Sequence, residues 1–187
     1  RALDIGCAVG RLTFELTRVV DQVVGVDRSR CFIEAAQRLA HEHYADINTK
    51  EAGDEITKRR VNLSRKLRNG RVEFCVGDAQ NLSSLAGQPF DVVTAINLLC
   101  RLPHPRKFLS QLPDLVAPRG YLVIASPYSW LEEFTPRRHW IAPGTLPALL
   151  GSHFRLVSRR DLPFLIREHH RKYQFVVSEA LTFQRRR

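Results

Sequence analysis

The sequence predicts an α/β fold with one doubly wound, mostly parallel sheet of seven strands and an antiparallel hairpin at its C-terminal end. Two observations predict the parallel part. Short apolar runs alternate with stretches of helical spacing, and the first five runs end at Gly, Asp, Asn or Ser residues, as buried strands do where they meet their loops. A third observation predicts the hairpin, because no helical pattern of normal length separates the last two runs, whereas a parallel crossover usually contains a helix.

The predicted elements follow one another along the chain. The strands span residues 2–5, 23–26, 72–76, 90–96, 121–125, 155–158 and 174–183. One helix follows the first strand, and a second helix is capped by Ser29. A later helix is expected from Pro105 through Leu112. Pro113 should kink or end it, because proline lacks a backbone N–H.

Residues 46–70 differ from the rest of the chain because they are polar and basic, with Lys58-Arg59-Arg60 at their centre. Ile56, Leu63 and Leu67 lie roughly on one helical face. We therefore predict a basic helical insertion here, on the surface of an otherwise single domain that comprises residues 1–187.

Composition narrows the class of protein. The chain has 187 residues, of which 44% are hydrophobic and 26% charged, so it is long enough for one domain with a core of its own. No apolar run approaches the ~18 residues of a membrane helix, and no membrane partner is expected. The net charge of +10 attracts polyanions. We interpret it as a solvated basic surface, and nucleic acid is a less favoured partner.

Four cysteines occur without CxxC spacing, at Cys7, Cys31, Cys75 and Cys100, and we interpret them as reduced thiols of a cytoplasmic protein. The seven histidines show no metal-ligand spacing, so no metal is predicted. The chain contains no methionine and opens at Arg1. We therefore expect it to be a segment of a longer polypeptide.

Candidate cofactor-binding residues follow the carboxyl ends of the first four strands, where ligands bind in such sheets. The glycines of the first loop let the backbone approach a ligand, and the helix that follows favours polar or negative groups. Asp27 can hold two ribose hydroxyls, and Asp78 can accept a hydrogen bond from an adenine amino group. The predicted cofactor site comprises Asp4, Gly6, Cys7, Ala8, Gly10, Asp27, Arg28, Asp78, Ala79 and Asn97.

The spacing of the first loop indicates which nucleoside is bound. Dinucleotide sites carry G-x-G-x-x-G, whereas this loop has Gly6-x-x-x-Gly10 preceded by Asp4. It resembles the D-x-G-x-G-x-G loop of the class I S-adenosylmethionine-dependent methyltransferases, with Ala8 in place of the middle glycine. The resemblance implies a Rossmann-like fold with a reversed last strand, and S-adenosyl-L-methionine as cofactor.

Three later stretches narrow the resemblance: AINLLCRLPHPRKFL at 95–109, SPYSWLEEFTP at 126–136 and LPFLIREHHRKYQ at 162–174. Together they are similar to the 4-mercaptohistidine N1-methyltransferase domain at the C-terminus of the sulfoxide synthase of ovothiol biosynthesis. That resemblance implies methyl transfer to an imidazole nitrogen of a thiol-histidine. It also implies a fused or upstream sulfoxide synthase domain as partner.

A thiol-histidine carries a carboxylate, an ammonium group and an acidic thiol, so its pocket should offer cations, an anion and an aromatic wall. Arg167 or Arg171 would bind the carboxylate. The predicted substrate-binding residues are Tyr128, Trp130, Glu132, Glu133, Arg167, Arg171 and Tyr173. Catalytic candidates are Tyr128, Glu132 and His169. A neutral imidazole nitrogen already has a lone pair, so alignment of the reactants is the main requirement and no covalent nucleophile is expected.

Other functions stay open at this point. An RNA methyltransferase is favoured by the basic charge, and the methyl acceptor could be another small molecule. A non-catalytic nucleoside-binding module is favoured by the departure at Ala8. A dehydrogenase is disfavoured by the loop spacing.

Overall fold

The structure is a computed structural model that describes residues 1–68, 70–85 and 87–187. This part of the chain forms nine strands and four α-helices. The strands are β1 (Ala2–Ile5), β2 (Gln22–Asp27), β3 (Tyr44–Ala52), β4 (Glu55–Asn62), β5 (Arg71–Val76), β6 (Phe90–Ile96), β7 (Val116–Ser126), β8 (Phe154–His169) and β9 (Lys172–Arg185). The helices are α1 (Arg11–Leu16), α2 (Arg30–Glu42), α3 (Pro105–Leu115) and α4 (Leu146–Leu150).

Seven strands form one sheet in the order β5-β2-β1-β6-β7-β9-β8. The pairs from β5 to β7 are parallel, whereas β9 is antiparallel to both β7 and β8. The predicted fold class is therefore confirmed, including the C-terminal hairpin. The order reverses between β1 and β6, which is the switch point where such sheets open a ligand crevice.

The core lies on both faces of this sheet, as the near-continuous apolar strands require. Leu3, Val93 and Leu122 are fully buried in the larger cluster, with Phe108 and Leu112 of α3. A smaller cluster on the α1 and α2 side is built around residues such as Phe14, Ile33 and Phe74. Within the described residues, no helix is both long and apolar enough to cross a membrane.

The predicted basic helix at 46–70 is wrong, because the structure has an antiparallel hairpin of β3 and β4 there. The segment contains β-branched residues such as Ile47 and Ile56, which favour strands. Cross-strand ion pairs join Arg60 to Asp46 and Arg59 to Glu51. In the described part of this segment, only a short 3₁₀ turn at Arg65–Leu67 is helical. Asn69 lies outside the described residues.

Helix α3 continues past Pro113 to Leu115 instead of ending at Leu112. Arg185 of β9 donates hydrogen bonds to the carbonyl oxygens of Pro113 and Val116. A guanidinium at this position satisfies carbonyl groups that the end of a helix leaves unpaired, and it also favours the negative end of the helix dipole.

Strands β8 and β9 extend well beyond the sheet edge at which the parallel strands end. Ser126, the last residue of β7, pairs with Glu179, which pairs with Asp161. From Asp161 to the end of β8 at His169 the hairpin continues for a further ~26 Å at the usual strand rise. Arg167 on this extension contacts Glu51 of β3 at 3.1 Å, so the two hairpins meet beyond the carboxyl edge of the sheet.

Candidate active site

A cleft with a cavity of about 500 Å³ opens at the carboxyl edge of the sheet. The loops after β1, β2, β5 and β6 contribute to its lining. Of the predicted cofactor residues, those that line it are Gly6, Asp27, Arg28, Asp78, Ala79 and Asn97. Asp27 and Asp78 lie at this edge because Asp27 is the last residue of β2 and Asp78 stands two residues after the end of β5.

Asp4 lies beneath the cleft and does not line it. Its carboxylate accepts hydrogen bonds from the hydroxyls of Thr13 and Thr94, each at 2.7 Å. Burial raises the pKa of Asp4, and the two hydroxyls oppose that rise. Since Thr13 belongs to α1 and Thr94 to β6, this buried carboxylate ties the first loop to the sheet, which is a structural role.

The first loop is shaped by residues with positive φ. Gly6 has φ +77° and Gly10 has φ +87°, and Ala8 between them has φ 48°. A left-handed conformation is costly for a residue with a Cβ, so Ala8 carries a strain that glycine would not. A Cβ on Gly6 would lie 3.0 Å from the side chain of Leu98, a residue that lines the cleft.

Asp27 connects this loop to the second strand. One carboxylate oxygen accepts the backbone N–H of Ala8 and the other accepts that of Ser29, both at 2.9 Å. A carboxylate oxygen can accept more than one hydrogen bond. Each oxygen of Asp27 therefore keeps capacity for a ligand hydroxyl, and both are already oriented by the backbone.

Asp78 follows β5 across the cleft from the first loop. Its Oδ1 accepts the backbone N–H of Gln80 at 2.8 Å, which fixes the carboxylate. The side-chain amide of Gln80 is buried, and neither of its polar atoms has a partner among the residues that the structure describes. No local sequence pattern predicts this arrangement of Gln80.

The far end of the cleft, after β6, is lined by Leu98, Arg101, Leu102, Pro103 and Phe134. The Arg101 guanidinium lies 5.3 Å from the centre of the Phe134 ring, and its Nη1 donates to the carbonyl oxygen of Ser129 at 2.7 Å. Sequence reasoning missed both residues. They stand in the stretches 95–109 and 126–136 that carried the resemblance, but nothing local indicates that they meet.

Comparison with known proteins identifies the family. A family model described as a methyltransferase domain matches residues 1–177. The chain belongs to this methyltransferase family.

Relatives of known activity support the same assignment. The methyltransferase is 32% identical to the mitochondrial ubiquinone biosynthesis O-methyltransferase of Schizosaccharomyces pombe over 126 aligned residues. The aligned residues cover 67% of this chain and 37% of that protein. It is 26% identical to the ubiquinone biosynthesis O-methyltransferase of Nitrosococcus oceani over 171 aligned residues. These cover 91% of this chain and 56% of that protein. The chain therefore spans only about half of these relatives, or less.

A solved structure shares the fold. The N-methyltransferase NodS from Bradyrhizobium japonicum WM9, in complex with S-adenosyl-L-homocysteine, superposes with a TM-score of 0.63 at 18% identity. The match covers 98% of this chain and 76% of that one.

The first loop resembles that of S-adenosyl-L-methionine-dependent methyltransferases, and the cleft fits this cofactor. Asp27 offers preoriented oxygens of the kind that hold ribose hydroxyls, and Asp78 offers a fixed acceptor at the opposite wall. A Cβ on Gly77 would lie 2.7 Å from a methyl group of Val26, so the backbone between Asp27 and Asp78 is closely packed. Within the described residues, no group of three or more His, Cys, Asp or Glu side chains is arranged to hold a metal ion.

The predicted substrate residues after β7 do not line the cleft. The Tyr128 hydroxyl donates to Glu179 at 2.6 Å, and burial together with this carboxylate raises the pKa of Tyr128. Trp130 stacks on Trp140 at 6.3 Å between ring centres.

Glu132 forms an exposed ion pair with Arg137, and Glu133 is exposed. Only Phe134, five residues further along from Ser129, turns back to the cleft.

The predicted substrate residues of the C-terminal hairpin lie at its tip, outside the cleft lining. Arg167 pairs with Glu51, Arg171 and Tyr173 are exposed, and His169 is half-buried. The physical reason is the length of the hairpin, which carries these residues ~20 Å or more past the sheet edge.

Cys7 lies in the first loop and is buried. Burial, reinforced by the carboxylates of Asp4 and Asp27, raises the pKa of the Cys7 thiol to about 12. Because the thiolate is the reactive form, Cys7 should resist alkylation at pH 8, whereas the exposed Cys31 should react first. We expect one fast phase with iodoacetamide, measured by intact mass. A fast phase that persists in the Cys31→Ser variant would contradict this assignment.

Proposed function

We propose that this methyltransferase methylates an imidazole nitrogen of a thiol-histidine. The observation that carries the proposal is the pairing of a guanidinium with an aromatic ring at the far end of the cleft, after β6, where Arg101 lies over Phe134. A cation suits the carboxylate or thiolate of the substrate, and an aromatic ring suits its imidazole. The resemblance of residues 95–109, 126–136 and 162–174 supports the same substrate.

In this proposal the cofactor is held by the residues that line the inner half of the cleft. Asp27 accepts from the ribose hydroxyls, and Asp78 accepts from the adenine amino group. The loop from Gly6 to Gly10 allows the backbone to approach the remainder of the cofactor. When bound, S-adenosyl-L-methionine supplies an electrophilic methyl group, which forms a bond to the nitrogen lone pair as its bond to sulfur breaks and S-adenosylhomocysteine leaves.

The protein acts mainly by holding the acceptor in line. Arg101 binds the anionic group, Phe134 packs on the ring, and Leu98, Leu102 and Pro103 exclude water. The methylated ring carries one excess proton, which is lost to solvent. Holding two reactants in the reactive geometry can lower a barrier by ~7–11 kcal/mol, so no covalent nucleophile is needed.

The residues first predicted for the substrate take different places in this proposal. Arg101 replaces Arg167 and Arg171 as the cation, because it lines the cleft and they do not. The substrate roles of Tyr128, Trp130 and Tyr173 stay predictions. The resemblance also implies a sulfoxide synthase, fused or separate, as the source of the thiol-histidine.

The deciding experiment offers the purified chain S-adenosyl-L-methionine with 4-mercaptohistidine, histidine, a catechol or RNA, and follows product mass. We expect one added methyl group on the thiol-histidine alone. Methylation of the catechol instead would favour hydroxyl methylation, the second candidate, which the ubiquinone biosynthesis O-methyltransferases favour as relatives. Methylation of RNA, or of nothing by a folded chain, would reject the proposal.

Replacing Arg101 by Gln should raise the Michaelis constant for thiol-histidine about 10- to 100-fold, because a charge-assisted hydrogen bond is lost. The dissociation constant of S-adenosylhomocysteine should change by less than about threefold, since Arg101 belongs to the acceptor end. Arg38→Gln, on the exposed side of α2, is the matched control for charge. A larger effect on cofactor binding than on the acceptor would refute this role of Arg101.

A further inference from the structure

Asn97 and Ser178 form a hydrogen bond that links the cleft to the C-terminal hairpin. The Ser178 hydroxyl on β9 donates to Oδ1 of Asn97 at 2.7 Å. Asn97 follows β6 and lines the cleft. Its backbone is left-handed, with φ 55°, and is fixed by the donation of its N–H to the carbonyl oxygen of Ala125 at 2.8 Å.

The direction of this hydrogen bond follows from burial. Ser178 is only 2% exposed, and a buried hydroxyl that fails to donate loses a hydrogen bond with water that nothing replaces. Among the described residues, Asn97 Oδ1 is the acceptor that the structure gives this hydroxyl. If the Asn97 amide were flipped, its NH2 group would face the Ser178 hydroxyl. The hydroxyl hydrogen would then either meet another donor or turn away and have no acceptor. The amide oxygen therefore faces Ser178.

An amide group is planar, with its oxygen and nitrogen on opposite sides of the side-chain axis. When Oδ1 faces β9, Nδ2 is directed away from β9. We propose that Ser178 is a positioning residue that holds Asn97 with its N–H groups toward the cleft, where they donate to the methyl acceptor.

The proposal deepens the proposed function and rests on it for the identity of the acceptor. An N–H donor stabilises an atom with a lone pair, and it opposes a protonated amine, which offers only donors. The thiolate sulfur of a thiol-histidine meets this requirement, and it leaves the lone pair of the ring nitrogen free to accept the methyl group.

The surroundings of Ser178 suit a ring. Side chains alternate along a strand, so Val176 lies on the same face of β9 as Ser178. Phe164 pairs with Val176 in β8, and both side chains are half-buried. Val176 and Phe164 therefore form an apolar surface on the hairpin, next to the contact between Ser178 and Asn97.

The test compares Ser178→Ala with Ser178→Thr, which keeps the hydroxyl. For 4-mercaptohistidine we expect kcat/KM to fall about 3- to 10-fold in Ser178→Ala, the usual range for one hydrogen bond, and to recover in Ser178→Thr. The dissociation constant of S-adenosylhomocysteine should stay within twofold of the parent in both. Equal kcat/KM in Ser178→Ala and the parent would overturn the proposal, as would equal losses in both variants.

A second readout is independent of the acceptor. In ¹⁵N relaxation measurements with S-adenosylhomocysteine bound, the Asn97 side-chain amide should be rigid in the parent and mobile in Ser178→Ala. Unchanged rigidity would overturn the role of Ser178 even if thiol-histidine is the substrate. If the parent fails to methylate thiol-histidine, the proposed function fails, and this measurement still decides whether Ser178 positions Asn97.

Discussion

Replacing Asp27 by Ala is expected to weaken the binding of S-adenosylhomocysteine by about 100-fold or more. A hydrogen bond to a charged group contributes roughly 1.5–3 kcal/mol, and the carboxylate has an oxygen available for each ribose hydroxyl. The same substitution removes the acceptor for the Ala8 N–H, so the left-handed turn at Ala8 loses the contact that holds it. Loss of ligand contacts and loss of loop order act in the same direction.

Isothermal titration calorimetry with S-adenosylhomocysteine measures this effect directly. Asp21→Ala is the matched control, because Asp21 is exposed in the turn before β2 and is outside the cleft lining. Asp27→Asn should give an intermediate loss, since the amide keeps one acceptor oxygen and adds a donor that opposes either the Ser29 or the Ala8 N–H. A dissociation constant within threefold of the parent in Asp27→Ala would show that the ribose is held elsewhere.

The inner half of the cleft is predictable from the sequence because its residues stand directly after strands. An apolar run that ends in a polar residue fixes both the strand and the position of that residue at the sheet edge, as for Asp27 and Asp78. The exception is Asp4, which precedes the end of β1 and is turned inward to Thr13 and Thr94. Its burial depends on threonines far apart in the chain, and no local pattern reveals them.

The β3–β4 hairpin could not be predicted from hydrophobic periodicity, because it has no buried face to produce one. Every residue of β4 is exposed, so the pattern of apolar and polar residues carries no strand signal. The helical spacing of Ile56, Leu63 and Leu67 joins an exposed strand residue to two buried residues that follow the hairpin. The apparent helical period therefore combines a residue of β4 with residues of the segment after it, and it does not describe a helix.

The acceptor end of the cleft depends on tertiary structure in the same way. The sequence shows strand character only at 155–158, whereas β8 runs for 16 residues, because its outer part is held by pairing with β9. This length moves Arg167 and Tyr173 away from the cleft and brings Ser178 against Asn97. Residues that meet across elements, as Arg101 and Phe134 do, require the fold before they can be seen.

Replacing Gly10 by Ala is expected to lower the free energy of unfolding by about 2–5 kcal/mol. Gly10 is the N-cap of α1 and has φ 87°, a left-handed conformation that costs an L-residue roughly 1–2 kcal/mol. A Cβ there would lie 2.6 Å from Cζ of Phe74 and 3.1 Å from Phe14. These two rings pack edge to face at 5.4 Å in the smaller core cluster, so the cluster must shift, at a further cost of roughly 1–3 kcal/mol.

Thermal unfolding should show a midpoint that is roughly 4–20 °C lower in Gly10→Ala. Gly53→Ala separates the two causes, because Gly53 also has positive φ, at 53°, but a Cβ there meets nothing within 4 Å. The difference between the two variants is then the cost of displacing Phe74 and Phe14. If Gly10→Ala and Gly53→Ala lower the unfolding midpoint by the same amount, the contact of a Cβ at position 10 with Phe74 and Phe14 has no cost. The preference for glycine would then arise from backbone conformation alone.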